Sequence, residues 1–216
     1  MGHFKEPISE MIWETKYRYR LQETIQDQTI EATWARVAKA VSKAEKKSDQ
    51  PFWEQKFLEA LTGFQFLPGG RIIAGAGTQH TVTLFNCFVM PLSDSLIAIF
   101  NSLKEAAITL QEGGGVGYDF SSLRPNGFPT AHSGGTASGP VSFMKIWDAM
   151  SATMQSTGSR RGAMMGVLRG DHPDIEAFVT AKKDPQALRH FNVSVLVSDA
   201  FMKAVQHNDP WPLVFE

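Results

Sequence analysis

The sequence predicts an α/β protein, and three observations carry that prediction. From residue 83 onward, short apolar β-prone runs alternate with amphipathic helical stretches, the pattern of strands joined by helical crossovers and paired in parallel. Residues 1–62 carry helical periodicity with Trp and Phe set among charges, so a helical region precedes the sheet. Between the two, glycine-rich turns mark where elements stop.

Taken in order, TWARVAKAVSKAEKK (33–47) places Trp34, Val37, Ala38 and Val41 on one helical stripe. Asp49 and Pro51 interrupt it, and 51–61 begins a second helix with Pro51 in its first turn and Gly63 at its close. FLPGGRIIAGAGT (66–78) is too rich in glycine for a regular helix interior. TLFNCFVMP (83–91) reads as a buried strand ended by Pro91. Residues 94–112 form the strongest helix, capped by Ser93 or Asp94, with Leu96, Ile99, Phe100, Leu103, Ala107 and Leu110 lining a face. A strand within 113–123 and a loop over 125–139 follow. A helix over 140–155 then carries Phe143, Ile146, Trp147, Met150 and Met154 on one side. The basic loop 156–163 leads to a strand at 164–168. A helix at 172–182, a strand at 191–197, a helix at 198–206 and the start of a strand at 211–216 complete the reading. Domains are expected at 1–62 and 63–216, and the apolar finish suggests the front part of a longer fold.

Composition narrows the function. The 216 residues hold 21 Lys+Arg against 22 Asp+Glu, so net charge gives no argument for nucleic acid or an anionic membrane. Mean hydropathy is −0.18 and no apolar run approaches a membrane span. The opening residues lack a secretory apolar stretch, so a soluble, cytoplasmic protein is expected. One Cys excludes an internal disulfide and a multi-cysteine zinc site. His80, His132, His172 and His190 show no metal-ligand spacing, and no metal is assigned.

The glycines at 113–117 follow a helix and open a strand, the reverse of the dinucleotide fingerprint, and no GxxxxGK[ST] is present. They read instead as a turn that lets backbone approach another segment. Cys87 is open to two readings: a small buried hydrophobe, or a reactive thiol. As a two-electron reductant it needs a second sulfur, which these residues do not contain. Arg160 and Arg161 form a cationic loop suited to a phosphate or a base, or simply a solvated turn. Asp94 opening a helix and Arg124 after a strand could bracket a nucleotide, carboxylate to ribose and guanidinium to phosphates.

The ordered set FLPGGRIIAGAGT, LFNCFVMP, DSLIAIFNSLKEAAITLQEGGGVGYDFSSLRP, GGTASGPVSFMKIWDAMSATM, RRGAMMGVLRGDHPDIEAF and FNVSVLVSD resembles the N-terminal portion of the ribonucleotide reductase catalytic chain. The adenosylcobalamin-dependent (class II) type is the best match, including the opening PISEMIWETKYR. The resemblance implies a helical domain followed by the first part of a ten-stranded α/β barrel, incomplete here. Its activity would be thiyl-radical reduction of ribonucleotides to deoxyribonucleotides for DNA synthesis, begun by adenosylcobalamin held mostly by the missing portion. By resemblance, Cys87 is one of the two cysteines that reduce the ribose, in a buried strand shielded from water. Asn86, Ser138 and Gly139 lie against substrate. Asp94 and Arg124 hold a dNTP effector, and Arg160 and Arg161 belong to a second specificity loop. Helices 94–112 and 140–155 would form a homodimer contact.

The family's finger-loop cysteine and glutamate, second redox cysteine and C-terminal cysteine pair are all missing from this sequence. The chain is therefore expected to need a C-terminal reductase portion and to be inactive alone. Two alternatives stand beside that reading: a stand-alone dNTP-binding and dimerisation module, and an inactive truncation whose open sheet edges favour aggregation.

Overall fold

The computed structural model describes residues 4–130, 134–154 and 163–215. It divides into two compact units, Met1–Asn86 and Cys87–Glu216.

The first unit contains α1 (Pro7–Lys16), the antiparallel pair β1 (Arg20–Leu21) and β2 (Thr24–Ile25), α2 (Ile30–Ser42), α3 (Gln50–Leu61) and α4 (Gly70–Gly75). Thr29 caps α2 by accepting the Ala32 N–H, and the predicted Trp34, Val37 and Ala38 are buried. Val41, the last residue of the predicted stripe, is exposed, whereas Ser42 beside it is buried. Pro51 stands in the first turn of α3 as expected.

Asp27 is the polar hub of this unit. Thr33 Oγ1 donates to its Oδ2 at 2.8 Å, Arg36 Nη2 at 2.8 Å, and Trp13 Nε1 donates in turn to Thr33 Oγ1 at 3.0 Å. Burial of the charges is tolerable because each is hydrogen-bonded. Arg36 also donates to the carbonyls of Ile73 (2.9 Å) and Ala76, fastening α4 to α2. Thus the glycine-rich run expected to be loop contains a six-residue helix, its glycines at the ends rather than in the middle. Residues 63–86 accordingly pack with the helical unit, whereas the sequence reading divides the chain at 62/63.

The second unit is a parallel four-stranded sheet in the order β3 (Cys87–Met90), β4 (Gly115–Asp119), β5 (Met164–Arg169), β6 (Phe191–Leu196). The crossovers are α5 (Leu96–Gln111), α6 (Pro140–Thr153) and α7 (Ile175–Thr180), and α8 (Asp199–His207) follows β6. One face of the sheet is buried: Val116, Tyr118, Met164, Leu168 and Phe191 pack with Ile99 and Ala106 of α5, Met144 and Trp147 of α6, and Phe178 of α7. The other face is open and carries Cys87, Val89, Met165, Asn192 and Ser194, with Val89 92% exposed.

Several expectations change here. The strand at 83–91 shortens to Cys87–Met90 and is not buried, because β3 is an edge strand whose Cys87 and Val89 point to the uncovered face. Ser95, not Ser93 or Asp94, caps α5 by accepting from Ala98 N. The buried side of α5 is Ile99, Ser102, Ala106 and Leu110, so Leu96 and Phe100 face outward. Within residues 211–215 no strand forms; Val214 N–H instead donates to Asp171 O at 2.7 Å. No described helix is long and apolar enough to cross a membrane.

Candidate functional site

The strand directions separate the candidate residues into two groups. Cys87 is the first residue of β3 and is exposed, in register with Gly115 on β4. It therefore stands at the N-terminal end of the sheet, neither mid-strand nor shielded. Asn86 precedes it in the chain and is exposed, and its Nδ2 lies 3.4 Å from where a Cβ on Gly69 would stand.

The glycine run before β4 keeps this end compact. A Cβ on Gly114 would lie 2.8 Å from both Phe88 Cε2 and Thr109 Cγ2, so glycine there is what lets β4 enter beside β3. That is the close backbone approach expected of the run.

At the C-terminal end of the sheet lie Asp94, after β3, and Arg124, after β4. The structure brings them together: Arg124 Nε donates to Asp94 Oδ2 at 2.6 Å, and both side chains are half-buried. The segment bearing Asp94 is held by Ser102 Oγ donating to Pro91 O and Ser122 Oγ to Leu92 O, each at 3.0 Å. Such a carboxylate–guanidinium pair offers an anion a fork of donors and a hydroxyl a strong acceptor.

Ser138 and Gly139 precede α6, which leaves the C-terminal end of β4 and returns to begin β5. They therefore stand at the Arg124 end. With strands rising about 3.3 Å per residue, β3 to β6 hold them a strand's length from Cys87. The expected grouping of Ser138 and Gly139 with Cys87 and Asn86 is not what the structure brings together. Arg160 and Arg161 lie outside the described residues, as does His132.

Two residues not singled out as site residues join the Arg124 end. His172 Nε2 bonds Leu123 O at 2.9 Å, and Asp174 Oδ2 accepts the Asn126 N–H at 2.9 Å. Asp174 reads locally as a helix-start acid, and nothing in its neighbourhood reveals a partner 48 residues away. His190 shares Asp148 Oδ1 through its ring and its amide. Among the described residues, no group of three or more His, Cys, Asp or Glu could hold a metal ion.

Comparison with known proteins agrees with this architecture. The family model for the ribonucleotide reductase all-alpha domain matches residues 3–81, and that for the ribonucleotide reductase barrel domain matches residues 85–216. A vitamin B12-dependent ribonucleoside-diphosphate reductase of Mycobacterium tuberculosis is 48% identical over 157 residues, covering 72% of this chain and 22% of that protein. The protein of the same name from Thermoplasma acidophilum is 41% identical over 160 residues, 74% of this chain and 21% of its own length. A ribonucleoside-diphosphate reductase subunit alpha of Chlamydia muridarum is 26% identical over 190 residues, 86% of this chain and 18% of its own. The chain thus spans about a fifth of the length of the curated relatives it matches. A helical unit followed by a parallel sheet, each matched by its own model, makes this chain a member of the ribonucleotide reductase family.

Proposed function

We propose that this chain is the N-terminal part of a cobalamin-dependent ribonucleotide reductase, its parallel sheet forming part of a ten-stranded barrel completed by a C-terminal portion. The observation that carries the reading is Cys87, an exposed thiol at the head of an edge strand in the segment matched by the barrel model. The Mycobacterium and Thermoplasma relatives are ribonucleoside-diphosphate reductases, which favours a ribonucleoside diphosphate as substrate. A cytoplasmic location accords with deoxyribonucleotide supply.

In the reaction, Cys87 and a second thiol from the other portion supply two electrons and two protons. The ribose 2′ hydroxyl leaves as water, a C2′–H bond replaces C2′–OH, and the two sulfurs become a disulfide. Exposure of Cys87 on the open sheet face lets a substrate and a second thiol both reach it. Asn86, the residue before it in the chain, is proposed to contact the substrate. Adenosylcobalamin, when bound, supplies the homolysis that begins the radical chemistry. The cofactor would be held mostly by the C-terminal portion, and no residue of this chain is assigned to it.

The Asp94–Arg124 end is proposed to take the dNTP effector, Arg124 on phosphate and Asp94 on the ribose, with the Ser138–Gly139 turn contributing here rather than at the substrate. Arg160 and Arg161 would relay the effector's identity to the substrate base. The outward row on α5, where Ile97 is 78% exposed beside Leu96 and Phe100, suits a homodimer contact together with α6.

Mixing this chain with the complementary portion of a class II reductase tests the reading. Adenosylcobalamin-dependent deoxynucleotide formation is expected, and Cys87→Ser should abolish it; activity unchanged by that substitution would end the redox assignment. A second reading, a stand-alone dNTP-binding module, is favoured by one observation: the Asp94–Arg124 pair forms entirely within this chain. Calorimetry showing no heat with any dNTP would remove it.

A further inference from the structure

Three segments distant in sequence close around the residues flanking Arg124. His172 is only 1% exposed. Its Nδ1 accepts the Asp174 N–H at 3.0 Å, so Nε2 carries the proton and donates to Leu123 O at 2.9 Å. The partners fix that tautomer, since a backbone amide only donates and a carbonyl only accepts. On the other side of Arg124, the Asn126 N–H donates to Asp174 Oδ2 at 2.9 Å.

The carboxylate of Asp174 makes no capping bond to α7, although Asp174 is the residue at its start. It serves Asn126 instead. Gly139, with φ +77°, packs over this bond so closely that a Cβ there would lie 2.3 Å from Asp174 Oδ2 and 2.9 Å from Asn126 N. Only glycine admits that approach, and only glycine readily adopts that φ. The backbone is thus pinned one residue before Arg124 and two residues after it, while Asp94 holds the guanidinium itself.

We infer that His172 and Asp174, admitted by Gly139, are positioning residues for the Arg124 guanidinium and so set how tightly this end of the sheet binds a nucleotide phosphate. An arginine fork grips phosphate through directed hydrogen bonds, and such a site loses strength when its supporting contacts let it shift by about an ångström. Neither residue touches the ligand; both act through the 123–126 backbone. The inference rests on the reading of Asp94 and Arg124 as the effector site.

Isothermal titration of the full 216-residue chain with dATP, dGTP, dTTP and dCTP in turn is the test. It compares the parent, Asp174→Ala and Asp174→Asn, with each substitution repeated in an Arg124→Lys background. The expected loss for Asp174→Ala is about tenfold in affinity. Asp174→Asn keeps an oxygen that accepts from Asn126 and should restore binding to within about threefold of the parent. In the Arg124→Lys background the Asp174→Ala loss should vanish, because a clamp acting through one side chain cannot add to that side chain's own loss. If thermal melting shows Asp174→Ala unfolded, Asp174→Ser, which suits the start of a helix but is too short to keep the Asn126 bond, replaces it with the same expectation. Parent binding matched within twofold by Asp174→Ala overturns the inference, as does a tenfold loss that persists in the Arg124→Lys background. A parent chain that binds none of the four overturns the effector reading itself, a distinct result.

Discussion

The two ends of the parallel sheet are finished to different degrees. At the C-terminal ends, segments between residues 91 and 174 bind one another: Asp94 with Arg124, Ser122 with Leu92, Ser102 with Pro91, His172 with Leu123, and Asp174 with Asn126. At the N-terminal ends, Cys87 heads an edge strand and faces an open side of the sheet. The difference separates the two proposed jobs. An effector site assembled from crossover loops needs only the strands that anchor it, whereas a dithiol step needs a second sulfur from outside these residues. The same contrast runs through the sheet's faces, one packed with aromatic and aliphatic side chains and the other bare.

Substitutions can break that comparison. Replacing Cys87 with Ser should remove all nucleotide reduction in the reassembled enzyme while leaving urea unfolding of the chain within about 0.5 kcal/mol of the parent. A large stability loss would mean the thiol is structural. On the packed face, Trp147→Ala should cost about 3–5 kcal/mol in the same unfolding measurement. Val89→Ala on the open face should again stay within about 0.5 kcal/mol, and equal losses at both positions would erase the distinction between faces.

At the Asp94–Arg124 end, proposed to take the effector, Arg124→Ala should weaken dNTP binding by about tenfold or more, since hydrogen bonds to charged groups contribute about 1.5–3 kcal/mol. Calorimetry reads it directly. A modest effect concerns Tyr118 on the packed face. Burial pushes its phenol up from the ordinary tyrosine range. A pKa raised on folding gives stability that is present below the unfolded value of about 10 and lost as pH rises through the folded value. Tyr118→Phe should therefore cost about 1 kcal/mol at neutral pH through the lost bond to Ser102 O. It should also flatten the stability loss above pH 10 in melting curves.

What was legible in the sequence follows the range of the interactions. The α/β alternation, the helix starts at Pro51 and Pro140, and the strands at 164 and 191 are local patterns, and the structure shows them. Both members of the Asp94–Arg124 pair are readable as residue types, but only the fold sets them 2.6 Å apart. Cys87 is exposed rather than buried: an apolar strand pattern suggests two covered faces, while alternation sends Cys87 and Val89 to the bare one. On α5, hydrophobicity selects Leu96 and Phe100, yet the helix buries Ser102, whose hydroxyl donates to Pro91 O. The His172–Asp174 contacts reach back 48 or 49 residues and leave no local trace.

Mapping the oxidation state of Cys87 tests the central claim most directly. The chain is combined with its complementary portion, adenosylcobalamin and a ribonucleoside diphosphate, then allowed one turnover without external reductant and analysed by peptide mass spectrometry. The account predicts Cys87 joined in a disulfide to a cysteine of the other portion, in amount equal to the deoxynucleotide formed. Deoxynucleotide formed while Cys87 remains a free thiol would contradict it.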